Sequence, residues 1–123
     1  MKTRTQRFAE AALAAVKAVG QAHQREYKAR ADGFPVMVMQ SGLTQALGFL
    51  IGKGDVCRQY ADDVARILGR ANAMELQDAA LGADLAEYRR LTREVLEVAA
   101  LIKRYGQVHL KPLATSEEVS HAG

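Results

Sequence analysis

The sequence predicts an all-α protein, a single-domain bundle of about five helices. Three observations indicate this fold class. The chain of 123 residues contains only two prolines, so long segments can remain helical without interruption. Alanine and leucine are abundant and β-branched runs are few, which favours helices over strands. Apolar residues also recur every three or four positions along most of the chain, the spacing of one buried helix face.

The length of the chain is that of one domain. No repeat or low-complexity tract divides it. We therefore expect one helical domain over residues 1–111, followed by a short C-terminal tail, 112–123, that is disordered because it carries no apolar periodicity.

The first helix is expected from about Arg4 to Arg30. Thr3 and Gln6 stand three residues apart directly before an apolar periodic segment, the pattern of a capping box. Its end is expected at Asp-Gly-Phe-Pro, residues 32–35, because glycine suits a left-handed cap and proline suits the first turn of the following helix. His23 falls on the apolar arc of this helix, which predicts a buried histidine in the core.

An uncharged segment, Pro35–Ile51, is expected to form the second helix at the centre of the core. Steps of three and four separate its large apolar residues, which are Val36, Met39, Leu43, Leu47 and Leu50. We expect Leu43 and Leu47 to be fully buried against the first and last helices. Gly-Lys-Gly at 52–54 is expected to end the segment, and Asp55 to cap the next helix.

Three further helices complete the prediction. The third runs from about Val56 to Leu68, the fourth is short and ends near Leu81, and the fifth ends near Tyr105. Asn72 and Asp84, each followed three residues later by glutamate, have the form of N-terminal caps for the fourth and fifth helices. Gly82 and Gly106 are expected to end these two helices.

Motifs that support catalysis or metal binding are weak in this sequence. A di-iron site needs two Glu-x-x-His pairs on facing helices, and the sole pair, Glu118 with His121, is in the tail. Residues 48–53 are similar to a phosphate-binding loop but are one residue short and follow a helix rather than a strand. Ser41 and Cys57 have no base placed beside them by sequence. We therefore expect no enzymatic activity, no cofactor, no metal and no small-molecule substrate.

The cellular location follows from cysteine usage and hydropathy. The single cysteine, Cys57, cannot form an internal disulfide and suits a reducing compartment. We expect it to be a small buried core residue. The first ten residues lack the apolar segment of a signal peptide, and no stretch of the chain is apolar enough to span a membrane. The expected location is the cytoplasm, with no membrane partner.

The basic residues are concentrated near the N-terminus although the net charge is only +3. Residues 1–30 contain seven basic and two acidic side chains. On a continuous first helix, four of them share one outer arc: Arg7, Lys17, Arg25 and Lys28. A second basic strip on the last helix consists of Arg89, Arg93, Lys103 and Arg104. Because no exposed aromatic residues are expected among them, both strips suit neutralisation of phosphates rather than base stacking. Contact with acidic protein surfaces, or with water alone, is the alternative for both strips.

Three segments together resemble a known family. The central one, residues 34–54, has a proline that opens an uncharged helix, Gly42-Leu43 in the middle, and Leu-Gly-Phe-Leu shortly before Lys53-Gly54. Residues 88–96 and 101–105 are similar to the last helix of the same family, and the basic, alanine-rich first helix also fits. The family is the small subunit of the type III-B CRISPR (Cmr) effector complex. Ile51-Gly52 departs from its pattern, since a small polar residue is expected before Lys53.

The resemblance implies an all-α, non-catalytic structural subunit of an RNA-guided antiviral ribonucleoprotein. Its implied partners are the other Cmr subunits, further copies of itself, the CRISPR RNA and the target RNA. The two basic strips and Lys53 are then candidate contacts with the RNA backbone. The alternative is a helical protein-interaction adaptor or a DNA-binding regulator unrelated to RNA, although the sequence lacks a short helix, a tight turn and a recognition helix in succession.

Overall fold

The computed structural model describes residues 1–110, and within them the fold is all-α, as predicted. This part of the chain contains six α-helices rather than the expected five: α1 Arg4–Lys17, α2 Gln24–Ser41, α3 Leu43–Lys53, α4 Asp55–Ile67, α5 Ala73–Gly82 and α6 Leu85–His109. A short 3₁₀ turn, Gln21–His23, joins α1 to α2. The predicted domain end at residue 111 and the tail 112–123 lie outside the described residues.

The predicted first helix, Arg4–Arg30, is wrong because the chain turns between α1 and α2. Gly20 is extended, with φ −62° and ψ 146°, and precedes the 3₁₀ turn. His23 is exposed at this turn, so the prediction of a buried histidine is also wrong. The capping box is confirmed, since the Gln6 N–H donates to Thr3 Oγ1 over 3.0 Å and the Thr3 N–H donates to Gln6 Oε1 over 2.8 Å.

The predicted break at residues 32–35 is wrong, since α2 runs through Pro35. A proline inside a helix costs about 3 kcal/mol, mainly through a lost hydrogen bond and a clash with the preceding turn. Phe34 and Val38 on the same helix are buried, and burial of each such side chain contributes about 1.5–3 kcal/mol. Packing on both sides of Pro35 therefore offsets the cost of the proline.

The uncharged segment does not form one helix. Its first part belongs to α2 and its second part to α3, and these two helices meet at Gly42. Gly42 has φ 87° and ψ 160°, which ends α2 and begins α3. Leu43 and Leu47 are fully buried, as predicted, and Leu50 is fully buried as well. Val36 and Met39 were predicted to lie on the same buried face as these leucines, but they are 52% and 76% exposed. They belong to α2, whose axis has a different direction from that of α3. The predicted packing partners are also wrong, since α3 packs mainly against α2, α4 and α5.

The last three helices follow the prediction closely. Gly54, rather than Asp55, occupies the cap position before α4. Asn72 and Asp84 cap α5 and α6 by accepting the N–H of the residue three positions later, over 3.0 and 2.9 Å. Gly106 does not end α6 as expected but is buried within it.

The longest helix, α6, packs mainly against α1 and α2, and α4 contacts each of the other five α-helices. Two edge-to-face contacts hold α2 on α4, with the Tyr60 ring 5.5 Å from the Tyr27 ring and 5.4 Å from the Phe34 ring. At the start of α1, Arg4 pairs with Glu94 and Glu97 of α6, at 3.4 and 2.8 Å. The core is thus closed by contact between the first and last helices.

Candidate nucleic-acid interface

The basic strip of α6 lies on the side of the helix that faces away from the core. At about 100° per residue, its four members fall within about 100° of the helix circumference and extend over about 22 Å along the axis. Arg89, Arg93 and Arg104 are exposed, and Lys103 is half-buried. The opposite side of α6 is fully buried, since it carries Val95, Val98 and Ile102.

These four cations have no carboxylate partner within residues 1–110, whereas the three glutamates of α6 are all occupied. Arg90 pairs with Glu87 and with Glu94, the latter at 2.6 Å. Hydrogen bonding from Arg90 lowers the pKa of Glu87. Arg4 pairs with Glu97 at 2.8 Å. The three glutamates of α6 are therefore paired along one edge of the helix with two arginines, and none of them pairs with the outer strip.

The basic residues near the N-terminus do not form the single arc that the sequence predicts. Arg7 and Lys17 are exposed on α1, whereas Arg25 and Lys28 belong to α2, beyond the turn at Gly20. Lys28 Nζ pairs with Asp32 Oδ2 at 2.8 Å, and its side chain is only 18% exposed. The structure thus divides this set between two helices.

Lys53, at the end of α3, stands beside an aromatic residue that the sequence analysis missed. Its Nζ lies 5.5 Å from the centroid of the Phe49 ring, which is 44% exposed. The expected absence of exposed aromatic residues concerned the two basic strips, and Lys53 belongs to neither. The signal was present in the sequence, because Phe49 falls outside the arc formed by Leu43, Leu47 and Leu50.

A second group of polar side chains lies between α2 and α4. The Tyr27 hydroxyl donates to Asp63 Oδ2 over 2.6 Å, and burial raises the pKa of both groups. Cys57 is buried, as expected, with its Sγ 3.9 Å from Glu26 Oε2, and burial raises the pKa of the thiol. Burial therefore favours the protonated thiol, which is a poor nucleophile.

The raised pKa of Asp63 predicts the pH dependence of an Asp63→Asn variant. The folded state binds a proton at Asp63 more tightly than the unfolded state, whose pKa is the ordinary 3.8. The contribution of Asp63 to the free energy of unfolding therefore falls as the pH rises from 3.8 through the higher pKa of the folded state. We expect Asp63→Asn, which still accepts from Tyr27, to be as stable as the unchanged protein or more stable at pH 7.

Urea unfolding at pH 7 and at acid pH checks this expectation. The stability advantage of Asp63→Asn should shrink as the medium is acidified, because protonation of Asp63 removes the same buried charge. A variant that is less stable at pH 7, with a deficit that disappears in acid, would show instead that the ionised carboxylate stabilises the fold.

Comparison with known proteins decides the family. The family model of the CRISPR-associated protein Cas_Cmr5 matches residues 4–108. The chain belongs to the Cmr5 family. The CRISPR system Cmr subunit Cmr5 of Thermus thermophilus is 40% identical over 109 residues, covering 87% of this chain and 96% of that protein. An X-ray crystal structure of a Cmr5 family protein from the same organism has a TM-score of 0.86 and 38% identity, covering 89% of this chain and 100% of that one.

The Cmr5 match includes every basic residue considered above. Residues 4–108 run from the start of α1 almost to the end of α6, so both basic sets and Lys53 lie in the part shared with the Cmr5 family. Over residues 1–110, histidine, cysteine and carboxylate side chains form no group of three able to hold a metal ion. No helix in the same range is long and apolar enough to cross a membrane.

Proposed function

We propose that the protein is a non-catalytic structural subunit of a CRISPR Cmr ribonucleoprotein and that the basic strip of α6 binds the RNA backbone. The observation that carries the RNA contact is the set of four cations on one outer face of α6 without acidic partners in residues 1–110. The assembly is supported by the relative from T. thermophilus, which is named as a subunit of the CRISPR Cmr system. Other Cmr subunits, further copies of this chain, the CRISPR RNA and the target RNA are its proposed partners.

The chemistry of the strip suits phosphates of any sequence. Guanidinium and ammonium groups bind phosphate oxygens through charge-assisted hydrogen bonds and do not distinguish one base from another when they contact the backbone alone. A length of about 22 Å along α6 allows contact with several successive phosphates. A subunit that serves many guide sequences needs this kind of contact, because the guide itself reads the target by base pairing.

Arg7, Lys17, Arg25 and Lys28 are proposed as secondary contacts. Arg7 and Lys17 are exposed on α1, but Lys28 is already paired with Asp32. Because these residues are divided between two helices, they do not form one continuous strip like that of α6. Their contribution to RNA affinity is therefore proposed to be smaller.

Two variants with the same change in net charge test the function. The α6 variant replaces by Ala the four residues of the basic strip: Arg89, Arg93, Lys103 and Arg104. The matched variant replaces by Ala the four basic residues nearer the N-terminus: Arg7, Lys17, Arg25 and Lys28. RNA affinity of the assembled complex is measured across a range of salt concentration. We expect the α6 variant to bind more weakly, and its slope of log affinity against log salt to be shallower by about 0.7 to 0.9 for each phosphate that it no longer binds.

Assembly of the complex is measured separately, by copurification of the other subunits with each variant. Weakened RNA binding with intact assembly supports the proposal. Failed assembly of the α6 variant, with unchanged RNA affinity in the complex that remains, would assign the strip to contact with acidic protein surfaces. An equal loss of affinity in both variants would show a general effect of net charge rather than a site on α6.

A further inference from the structure

An open groove between α3 and α5 lies beside Lys53 and is not part of the basic strip. It has a volume of about 430 Å³ and is lined by Thr44, Gln45, Gly48, Phe49, Gln77 and Leu81. We propose that this groove binds one unpaired nucleobase of the RNA, stacked on Phe49 with its phosphate on Lys53. The proposal rests on the proposed function, because the strand must already be held by α6.

Phe49 supplies the stacking surface. Within residues 1–110, which contain all seven aromatic residues of the chain, Phe49 is the only aromatic residue that is exposed. An apolar ring exposed on an otherwise well-packed helix gains from contact with a base, and such stacking tolerates any base because every base has an aromatic face. Lys53 Nζ lies over one face of the ring, 5.5 Å from its centroid, so the proposal places the base on the other face and its phosphate beside Lys53.

The shape of the groove depends on Gly48. A Cβ atom built at this position would lie 3.5 Å from Gln77 Nε2, so a side chain there would occupy the space between α3 and α5. Gln77 is held in the opposite wall, since its Nε2 donates to the Thr44 carbonyl over 2.8 Å. Leu81, 66% exposed, forms the apolar wall that faces Phe49 across the groove. Phe49 on α3 and Leu81 on α5 thus give the groove an apolar surface on each helix, beside the polar side chains of Thr44, Gln45 and Gln77.

The α3 wall of the groove is also in contact with α6, the helix that carries the basic strip. The Thr44 N–H donates to the Tyr88 hydroxyl over 3.2 Å, which places the first turn of α3 against α6 one residue before Arg89. The proposal places the strand along α6 and across this contact. The described residues that line the groove include no acidic side chain, and Lys53 lies against Phe49 at its edge. This charge favours an anionic strand over an apolar segment of a protein.

Single-stranded oligoadenylate, and the same strand annealed to oligouridylate, are the probes for the full-length protein in the assembled complex. We expect Phe49→Ala to weaken binding of the single strand at least about fivefold, the lower end of the cost of removing one stacked base. Its salt slope should stay unchanged, because no phosphate contact is removed. Binding of the duplex should change less than about twofold, since its bases are already paired and stacked, and Phe49→Tyr should restore single-strand binding.

Two matched variants complete the experiment. Met39→Ala removes another exposed apolar side chain, on α2, and should bind both probes normally. Gly48→Ala keeps α3 helical and narrows the groove, so it should weaken binding of the single strand without lowering the melting temperature. Circular dichroism confirms that each variant is folded.

Three results would overturn the proposal, and each has a different meaning. If Phe49→Ala binds oligoadenylate normally while the α6 variant binds weakly, this inference fails and the proposed function stands. If neither change affects RNA affinity, both fail. If Phe49→Ala prevents copurification of other subunits but leaves RNA affinity intact, the groove is a protein-docking site instead.

Discussion

Leu47→Ala is expected to lower the free energy of unfolding by about 2–5 kcal/mol, the usual cost of deleting a buried leucine side chain. Leu47 is 0% exposed in α3, which packs mainly against α2, α4 and α5. Removing its side chain forfeits the transfer energy of the methyl groups and leaves a cavity that three rigid helices can close only in part. Urea unfolding followed by circular dichroism measures the loss.

Leu81→Ala is the matched control for this experiment. Leu81 is 66% exposed on α5, so the same deletion should change stability by less than about 0.5 kcal/mol. If Leu47→Ala cost no more than Leu81→Ala, the packing of α3 described above would be incorrect.

Gly42→Ala is expected to destabilise the protein by about 1–3 kcal/mol, because Gly42 has φ 87° and ψ 160°, a backbone conformation almost confined to glycine. A Cβ there would also meet the Tyr88 hydroxyl at 3.5 Å. The strain falls at the junction of α2 and α3, whose directions both depend on this residue. Thermal and urea unfolding of the variant measure the effect.

Gly33→Ala supplies the opposite case on the neighbouring helix. Gly33 lies inside α2, and a Cβ there would contact nothing within 4 Å. Alanine is favoured over glycine in a helix interior by about 1 kcal/mol, so this variant should be more stable than the unchanged protein. Equal effects at Gly42 and Gly33 would contradict a special conformation at Gly42.

The features that the sequence predicted correctly are local ones. The caps at Thr3, Asn72 and Asp84 each need only a side-chain oxygen and an N–H three residues later, so a short pattern suffices to identify them. The long α6 was predicted for a related reason, since its apolar period is unbroken over many turns. All four residues of its basic strip therefore lie on one helix, as predicted. Only the end of this helix differs, since α6 ends at His109 rather than near Tyr105.

The breaks between helices could not be predicted in the same way. Val16, Val19 and Tyr27 are all buried although a turn separates the first two from the third, and their spacing still fits one helical period. A helix period therefore continues through the turn at Gly20, which led to a single first helix. At Pro35 the error was opposite, because a break was predicted in a helix that is continuous. The cost of the proline is visible in the local sequence, whereas the burial that offsets it depends on contacts with α4 and α6.

The candidate site shows the same division. Positions along α6 follow from helix geometry alone, but the separation of Arg7 and Lys17 from Arg25 and Lys28 depends on the turn at Gly20. The groove at Phe49 requires α5 to lie against α3, which no pattern in either segment specifies. Pairing between helices is a tertiary property, and it decides which side chains are exposed.

The Arg4–Glu97 pair joins residues 93 positions apart and fastens the first helix to the last. At a synthesis rate of about 5–20 residues per second, α1 emerges from the ribosome roughly 5 to 20 seconds before its main partner. During this interval the apolar face at Ala12 and Val16 has no α6 to cover it. A chain that terminates before α6 would therefore present this face to chaperones and proteases instead of to a core.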